Sequence, residues 1–122
     1  MRRRWAQWGP EDPFVYVDQG GVLHAVFHSQ LIDDDERVCG AHAFSENGLD
    51  WTMTGTAWGN VVDFIDGGRY EFSRRERPHL VFGADGVTPV AISTGFRDGP
   101  GDHTFTLVQE TELSQEEMER LY

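Results

Sequence analysis

A chain of 122 residues, 39% hydrophobic and 12% aromatic, has room for one ordinary domain with a modest core. Its formal net charge of −11 repels phosphate backbones and anionic lipid, which argues against nucleic acid and membrane surfaces as partners. No window approaches the ~20 apolar residues of a membrane span, and 14 Gly with 5 Pro suit short strands and tight turns better than helices.

The start, Met1-Arg2-Arg3-Arg4-Trp5, has the positive end of a secretory signal, but Gln7, Gly9, Pro10, Glu11 and Asp12 follow where an apolar stretch is needed. No signal peptide is read, and the compartment stays open. Phe14-Val15-Tyr16-Val17, the turn Asp18-Gln19-Gly20-Gly21 and the run Val22 to His28 predict a β-hairpin. The following Leu31 to Arg37 is a polar loop. Its acidic residues Asp33, Asp34, Asp35 and Glu36 lack the ligand spacing and turn glycine of a calcium loop, so solvation explains them better than a metal.

Val38 to Phe44 predicts a third strand, in which the single Cys39 reads as a small buried hydrophobe with no disulfide partner. Ser45 to Trp51 is a turn, with Asn47-Gly48 supplying positive φ and Trp51 folding back onto the sheet, and Thr52 to Trp58 is a fourth strand. Asn60 to Phe72 predicts a further hairpin about Asp66-Gly67-Gly68.

A second unit follows: a strand His79 to Phe82, a turn at Ala84-Asp85-Gly86, a strand Thr88 to Ser93, a loop Gly95 to Asp102, and a strand Thr104 to Val108. A fourth strand is missing. Ser114 with Glu117 three residues on forms a capping box, which predicts a short helix over 114–121.

Glu11-Asp12-Pro13-Phe14-Val15-Tyr16-Val17, with its glycine turn at Gly21, recurs 65 positions later as Glu76-Arg77-Pro78-His79-Leu80-Val81-Phe82 with Gly86. Repetition of strand-like units at this spacing marks an array of small sheets that bury their faces against one another. A blade of four strands takes about 40–50 residues, so the expected fold is all-β: about two consecutive four-stranded antiparallel blades of a propeller, residues 11–65 and 70–110, with the C-terminal helix. Such a chain is expected to be part of a larger propeller, a self-associating half or a truncated product.

The Glu11 to Asp18 segment resembles the Asp-Pro segment of five-bladed β-propeller glycosidases, the glycoside hydrolase family 43 type and its β-fructosidase relatives. Ser73-Arg74-Arg75-Glu76-Arg77-Pro78-His79-Leu80 resembles the Glu-x-Pro segment of the same enzymes. The resemblance covers most of residues 11–109. It implies a glycosidase-like protein acting on poly- or oligosaccharides, or derived from one that does. Asp12 matches the Asp that tunes the acid, and Glu76 matches the general acid. The family's third carboxylate, the base, belongs to a blade upstream of these segments, so two of three catalytic carboxylates are expected and the isolated chain is expected to be inactive. The alternative is a non-catalytic carbohydrate-binding or protein-interaction module.

Arg74, Arg77, His79 and His42 are the candidate contacts to sugar hydroxyls. Alternation along a strand puts Arg74 on the face of Glu76 and turns Arg75 and Arg77 away. A guanidinium close to Glu76 lowers a carboxyl pKa by about 1–3 units, against an acid role. A structural reading therefore stands beside the catalytic one: Glu11 and Glu76 as ion-paired strand starters, with the arginines stitching adjacent sheets. Trp5, Trp8, Trp58 and Tyr16 are either platforms for sugar faces or core residues. No zinc pattern or helical His pair exists, and no cofactor is expected.

Overall fold

The computed structural model describes residues 10–29, 38–72, 74–97 and 103–111, and every regular element in them is a strand. Nine strands follow in order: β1 (Pro10–Val17), β2 (Leu23–Ser29), β3 (Val38–Ser45), β4 (Thr52–Gly59), β5 (Val61–Asp63), β6 (Arg69–Glu71), β7 (Arg74–Phe82), β8 (Pro89–Arg97) and β9 (Thr104–Glu110). They form three antiparallel sheets: a four-stranded meander β1-β2-β3-β4, the hairpin β5-β6, and a three-stranded meander β7-β8-β9. The expected helix over 114–121, the acidic run 33–36 and the tryptophans Trp5 and Trp8 lie outside the described residues.

Turn chemistry sets these registers. Asp18 Oδ1 accepts bonds from Gly20 N and Val22 N at 2.8 and 3.0 Å, and Gly21 takes φ +81°. Asp85 Oδ1 does the same for Val87 N and Thr88 N, beside Gly86 at φ +74°. Such side-chain-closed turns let the chain reverse without orphaning buried backbone groups. At Ser45 to Trp51, Gly48 sits at φ +78° and the Trp51 indole donates to its carbonyl at 3.2 Å.

The first and third sheets pack face to face. Phe14, Val26 and Trp58 of the first meet Leu80 and Ile92 of the third. Leu80 is the repeat counterpart of Val15, which points to the opposite side of β1 from Phe14. One face of the first copy therefore meets the opposite face of the second, a head-to-tail contact rather than a two-fold one. Gly40 makes room for this interface, because a Cβ there would lie 2.1 Å from the Trp58 ring. The Trp58 indole then donates to the Arg75 carbonyl at 3.1 Å.

Arg75 completes the seam. It is buried, and its guanidinium donates to Gly59 O, Thr94 Oγ1 and Gln109 Oε1 at 3.1, 3.0 and 2.8 Å while lying over the Phe96 ring. The stitching role expected of the arginines thus falls to this one. A second cluster, Ala25, Phe27, Ala41 and Ala43, lies on the other face of the first sheet, and a third joins Val62 and Phe72 to Phe96.

Several boundaries differ from the sequence-based expectation. β1 begins at Pro10 rather than Phe14, β7 at Arg74 rather than His79, and β9 runs to Glu110 rather than Val108. β8 runs to Arg97, so that Gly95 is a strand residue and not the start of a loop. Pairing on both sides explains the extension, since β8 bonds to β7 and β9 along its length and buries Thr94 and Phe96 on one face. The lone glycine between them is carried within a ladder that its neighbours specify.

Candidate functional site

Both copies of the repeat contain the same irregularity. Register shifts fall between Glu11 and Phe14 and between Glu76 and His79, and the residue before each proline, Asp12 or Arg77, is left-handed at φ +51° or +56°. A bulge of this kind kinks a strand and re-aims a side chain. Strict alternation turns Arg77 away from Glu76, but the bulge brings it round to line one pocket with Arg74, Glu76 and His79. Arg75, before the bulge, stays on the face opposite Glu76, as alternation predicts.

The pocket has a volume of about 710 Å³, within the range of about 300–1,000 Å³ common for small-ligand sites. Ser93, Gly95 and Arg97 of β8 and Thr104, Phe105 and Thr106 of β9 complete it, with Phe96 beneath. The rings of Phe96 and Phe105, stacked 5.5 Å apart and 12° from parallel, lie on the opposite face of this sheet with Arg75 and Phe72 and form the floor on which the pocket is built. Glu76 is partly buried, its side chain 23% exposed, and the nearest cation is Arg74 Nε at 3.8 Å, too long for a hydrogen bond.

Register explains why the space is open. Glu76 stands opposite Gly95, whereas Glu11 stands opposite His28, a buried imidazole 3.6 Å from the Glu11 carboxylate. Likewise Phe14 opposes Val26 in the first copy while His79 opposes Ser93 in the second. Packing residues of one copy are thus small or polar in the other. The first copy's face is covered by the third sheet, and the second copy's face holds the pocket.

Four of the six candidate residues, Arg74, Glu76, Arg77 and His79, come together here. Asp12 does not line this pocket; it is exposed on the bulge of β1. His42 belongs to a separate cluster on the first sheet. There the Asp18 carboxylate accepts from His24 Nε2 at 2.7 Å, His24 Nδ1 meets His42 Nε2 at 2.9 Å, and His42 Nδ1 meets Thr54 Oγ1 at 2.7 Å. Tyr16 stacks on His24 at 4.9 Å.

Electrostatics follow from these contacts. The His24 bond and the backbone N–H of Val22 hold the Asp18 carboxyl below its ordinary pKa. Burial, and then the charge of His24, lower that of His42. Burial first, and then the Asp18 charge, raise that of Tyr16. Asp18 and Tyr16 also line a smaller cleft of about 380 Å³ against Thr88 and Pro89 of the third sheet. Among the described residues no group of three His, Cys, Asp or Glu side chains is arranged to hold a metal ion.

Sequence reasoning missed Ser93, Gly95, Thr104 and Thr106, because only the β7-β8-β9 register brings them beside Glu76. It also missed the chain through Asp18, His24 and Thr54; the readable signal was His24 and His42 on neighbouring strands. No protein-family model, curated protein or solved structure matches this chain.

Proposed function

We propose that this protein binds saccharides at the Glu76 pocket, on a frame of consecutive blades from a five-bladed propeller of the glycosidase type. The observation that carries the reading is the divergence of the two copies: His28 fills the space opposite Glu11, and Gly95 leaves it open opposite Glu76. The lining suits a sugar, since Arg74, Arg77, His79, Ser93 and the threonines offer donors to hydroxyl oxygens. Head-to-tail packing of the repeated sheets supports the propeller frame, because a ring of blades is built from contacts of this kind. Exposed Val81 and Val108, on the pocket side of the third sheet, suit further blades or a second copy as the covering partner.

Binding is the function proposed, rather than hydrolysis, for a chemical reason. Glycoside cleavage uses two carboxyl groups, about 5–5.5 Å apart when configuration is retained and about 6.5–9.5 Å when it is inverted. Glu76 is the one carboxylate among the described residues lining this pocket. Whatever Glu76 supplies, activation of water needs a second carboxylate from elsewhere.

A neutral and charged oligosaccharide panel, read by calorimetry or ligand-observed NMR, tests the reading. Wild type is expected to bind at least one member and Gly95→His none. Absence of binding to every saccharide, or equal binding by both proteins, refutes it. Aryl glycoside hydrolysis that falls in Glu76→Gln would replace binding by catalysis as the function.

A further inference from the structure

We propose that the saccharide taken by the Glu76 pocket is anionic, carrying a carboxylate or sulfate group, and that Arg77 is the residue that anchors this group. The inference rests on the saccharide reading above and names its chemical class. Every one of the 10 cationic Lys or Arg residues of this chain is arginine, and the chain as a whole carries −11. Even so, Arg74 and Arg77 line one pocket in which Glu76 is the single carboxylate among the described residues. A local excess of positive charge on an acidic protein is a recognition feature for an anion, since guanidinium forks match planar or tetrahedral oxyanions with paired bonds.

Arg77 differs from the structural arginine beside it. Arg75 is buried and donates three hydrogen bonds of 2.8 to 3.1 Å that hold two sheets together. Arg77 is exposed and has no ion-pair or hydrogen-bond partner among the described residues, so its donors face the pocket uncommitted. Its backbone is held at φ +56°, a conformation that L side chains rarely adopt, and the buried Pro78 follows it. The strand keeps this unfavourable bend, and the bend is what brings the guanidinium into the pocket. Arg74 leaves donors available too, since its approach to Glu76 at 3.8 Å is not a hydrogen bond.

The remaining lining serves the neutral part of the ligand. Ser93, Thr104 and Thr106 can donate to or accept from ring hydroxyls. Long-range charge limits ligand length: beyond a screening distance of about 8 Å in physiological salt, the acidic body repels a polyanion, whereas the arginines dominate at contact. A short oligosaccharide or a chain end fits better than the interior of a long acidic polymer.

Titration calorimetry with trigalacturonate, a sulfated galactobiose, xylotriose and inorganic sulfate tests the proposal on wild type, Arg77→Gln and, as a control outside the pocket, Arg69→Gln. One or both anionic sugars are expected to bind at least about tenfold tighter than xylotriose, because charge-assisted bonds are roughly twice as strong as neutral ones. Which of the two leads distinguishes carboxylate from sulfate. Arg77→Gln is expected to abolish the preference and leave xylotriose unchanged, and Arg69→Gln to keep it. If xylotriose binds as tightly as the charged sugars, or Arg69→Gln loses the preference as fully as Arg77→Gln, the anionic assignment is wrong while the saccharide pocket stands. Failure of all three sugars ends both readings, and competition by inorganic sulfate as strong as that of the sulfated sugar makes the ligand a simple anion.

Discussion

The rings of Phe14 and His79 lie 5.5 Å apart, although the two residues hold the same position in two copies of one repeated segment. The strands that carry them, β1 and β7, therefore lie beside one another where the first and third sheets meet. The sheets behind them pack opposite faces together, through Phe14 and Val26 on one side and Leu80 and Ile92 on the other. The first copy uses its Phe14 face for packing, and the second, with His79 there instead, leaves that face open as a pocket.

Gly95→His tests that division directly. A Cβ at Gly95 meets nothing closer than the Glu76 carbonyl at 3.6 Å, an ordinary contact, so a side chain is accommodated. The strand interior gains β propensity, and removal of glycine there is worth roughly 0.5–1 kcal/mol. Urea unfolding is expected to show equal or higher stability with saccharide binding lost. A variant that binds like wild type would mean that the space opposite Glu76 is not the site.

The two left-handed residues are separable in the same way. Asp12→Gly and Arg77→Gly each relieve a backbone at positive φ, and after the entropy cost of glycine each is expected to stabilise by about 0.5–1 kcal/mol. Only Arg77→Gly is expected to weaken binding, since Asp12 does not line the pocket. Loss of binding in Asp12→Gly at unchanged stability would bring Asp12 back as a site residue.

The hairpins, turns and strand composition were legible because they are local. Asp18 to Gly21, Asn47-Gly48 and Ala84 to Gly86 carry their conformations in residue type, and the alternation around them marks the strands. The site was legible in part: Glu76, Arg74, Arg77 and His79 stand together in sequence. The other wall was not, because Gly95 has the composition of a loop and becomes a strand residue only through pairing with both β7 and β9. The direction of Arg77 was hidden for a related reason, since alternation cannot anticipate a bulge. Arg75 and Arg77 are alike as residues, and only their register separates a structural cation from a pocket cation.

Gly40 gives a prediction about the seam between the sheets. A methyl group there would overlap the Trp58 ring, whose indole bonds the Arg75 carbonyl, so the ring has little freedom to move aside. Gly40→Ala is expected to destabilise by about 1–3 kcal/mol or more, in the manner of an overpacked core. Combining it with Trp58→Leu should cost less than the sum of the two single changes, because the clash is then absent. Additive costs in a urea-unfolding cycle would show that the two residues do not contact.

The chain Asp18-His24-His42-Thr54 makes stability depend on pH, and its sign follows from the proton inventory. The ionised Asp18 can only accept, so His24 Nε2 donates to it. With both rings neutral, His42 Nε2–H donates to His24 Nδ1, and the Thr54 hydroxyl donates to His42 Nδ1. A proton added at His42 Nδ1 reverses only the last of these bonds, the Thr54 hydroxyl turning to the His42 carbonyl at 3.3 Å. The cost of that charge is electrostatic: His42 titrates below its ordinary value of 6.5, through burial first and then the charge of His24. Between its folded value and 6.5 the unfolded chain binds more protons than the folded one, so stability rises with pH in that window and falls on acidification. Asp18 adds a loss at lower pH: its stabilising contribution is present above 3.8 and disappears as pH drops through its lower folded value. Urea unfolding at a series of pH values should show the decline below 6.5 in wild type and a flatter profile in His42→Gln, which begins less stable. An equal slope in the two proteins would exclude His42 as its source.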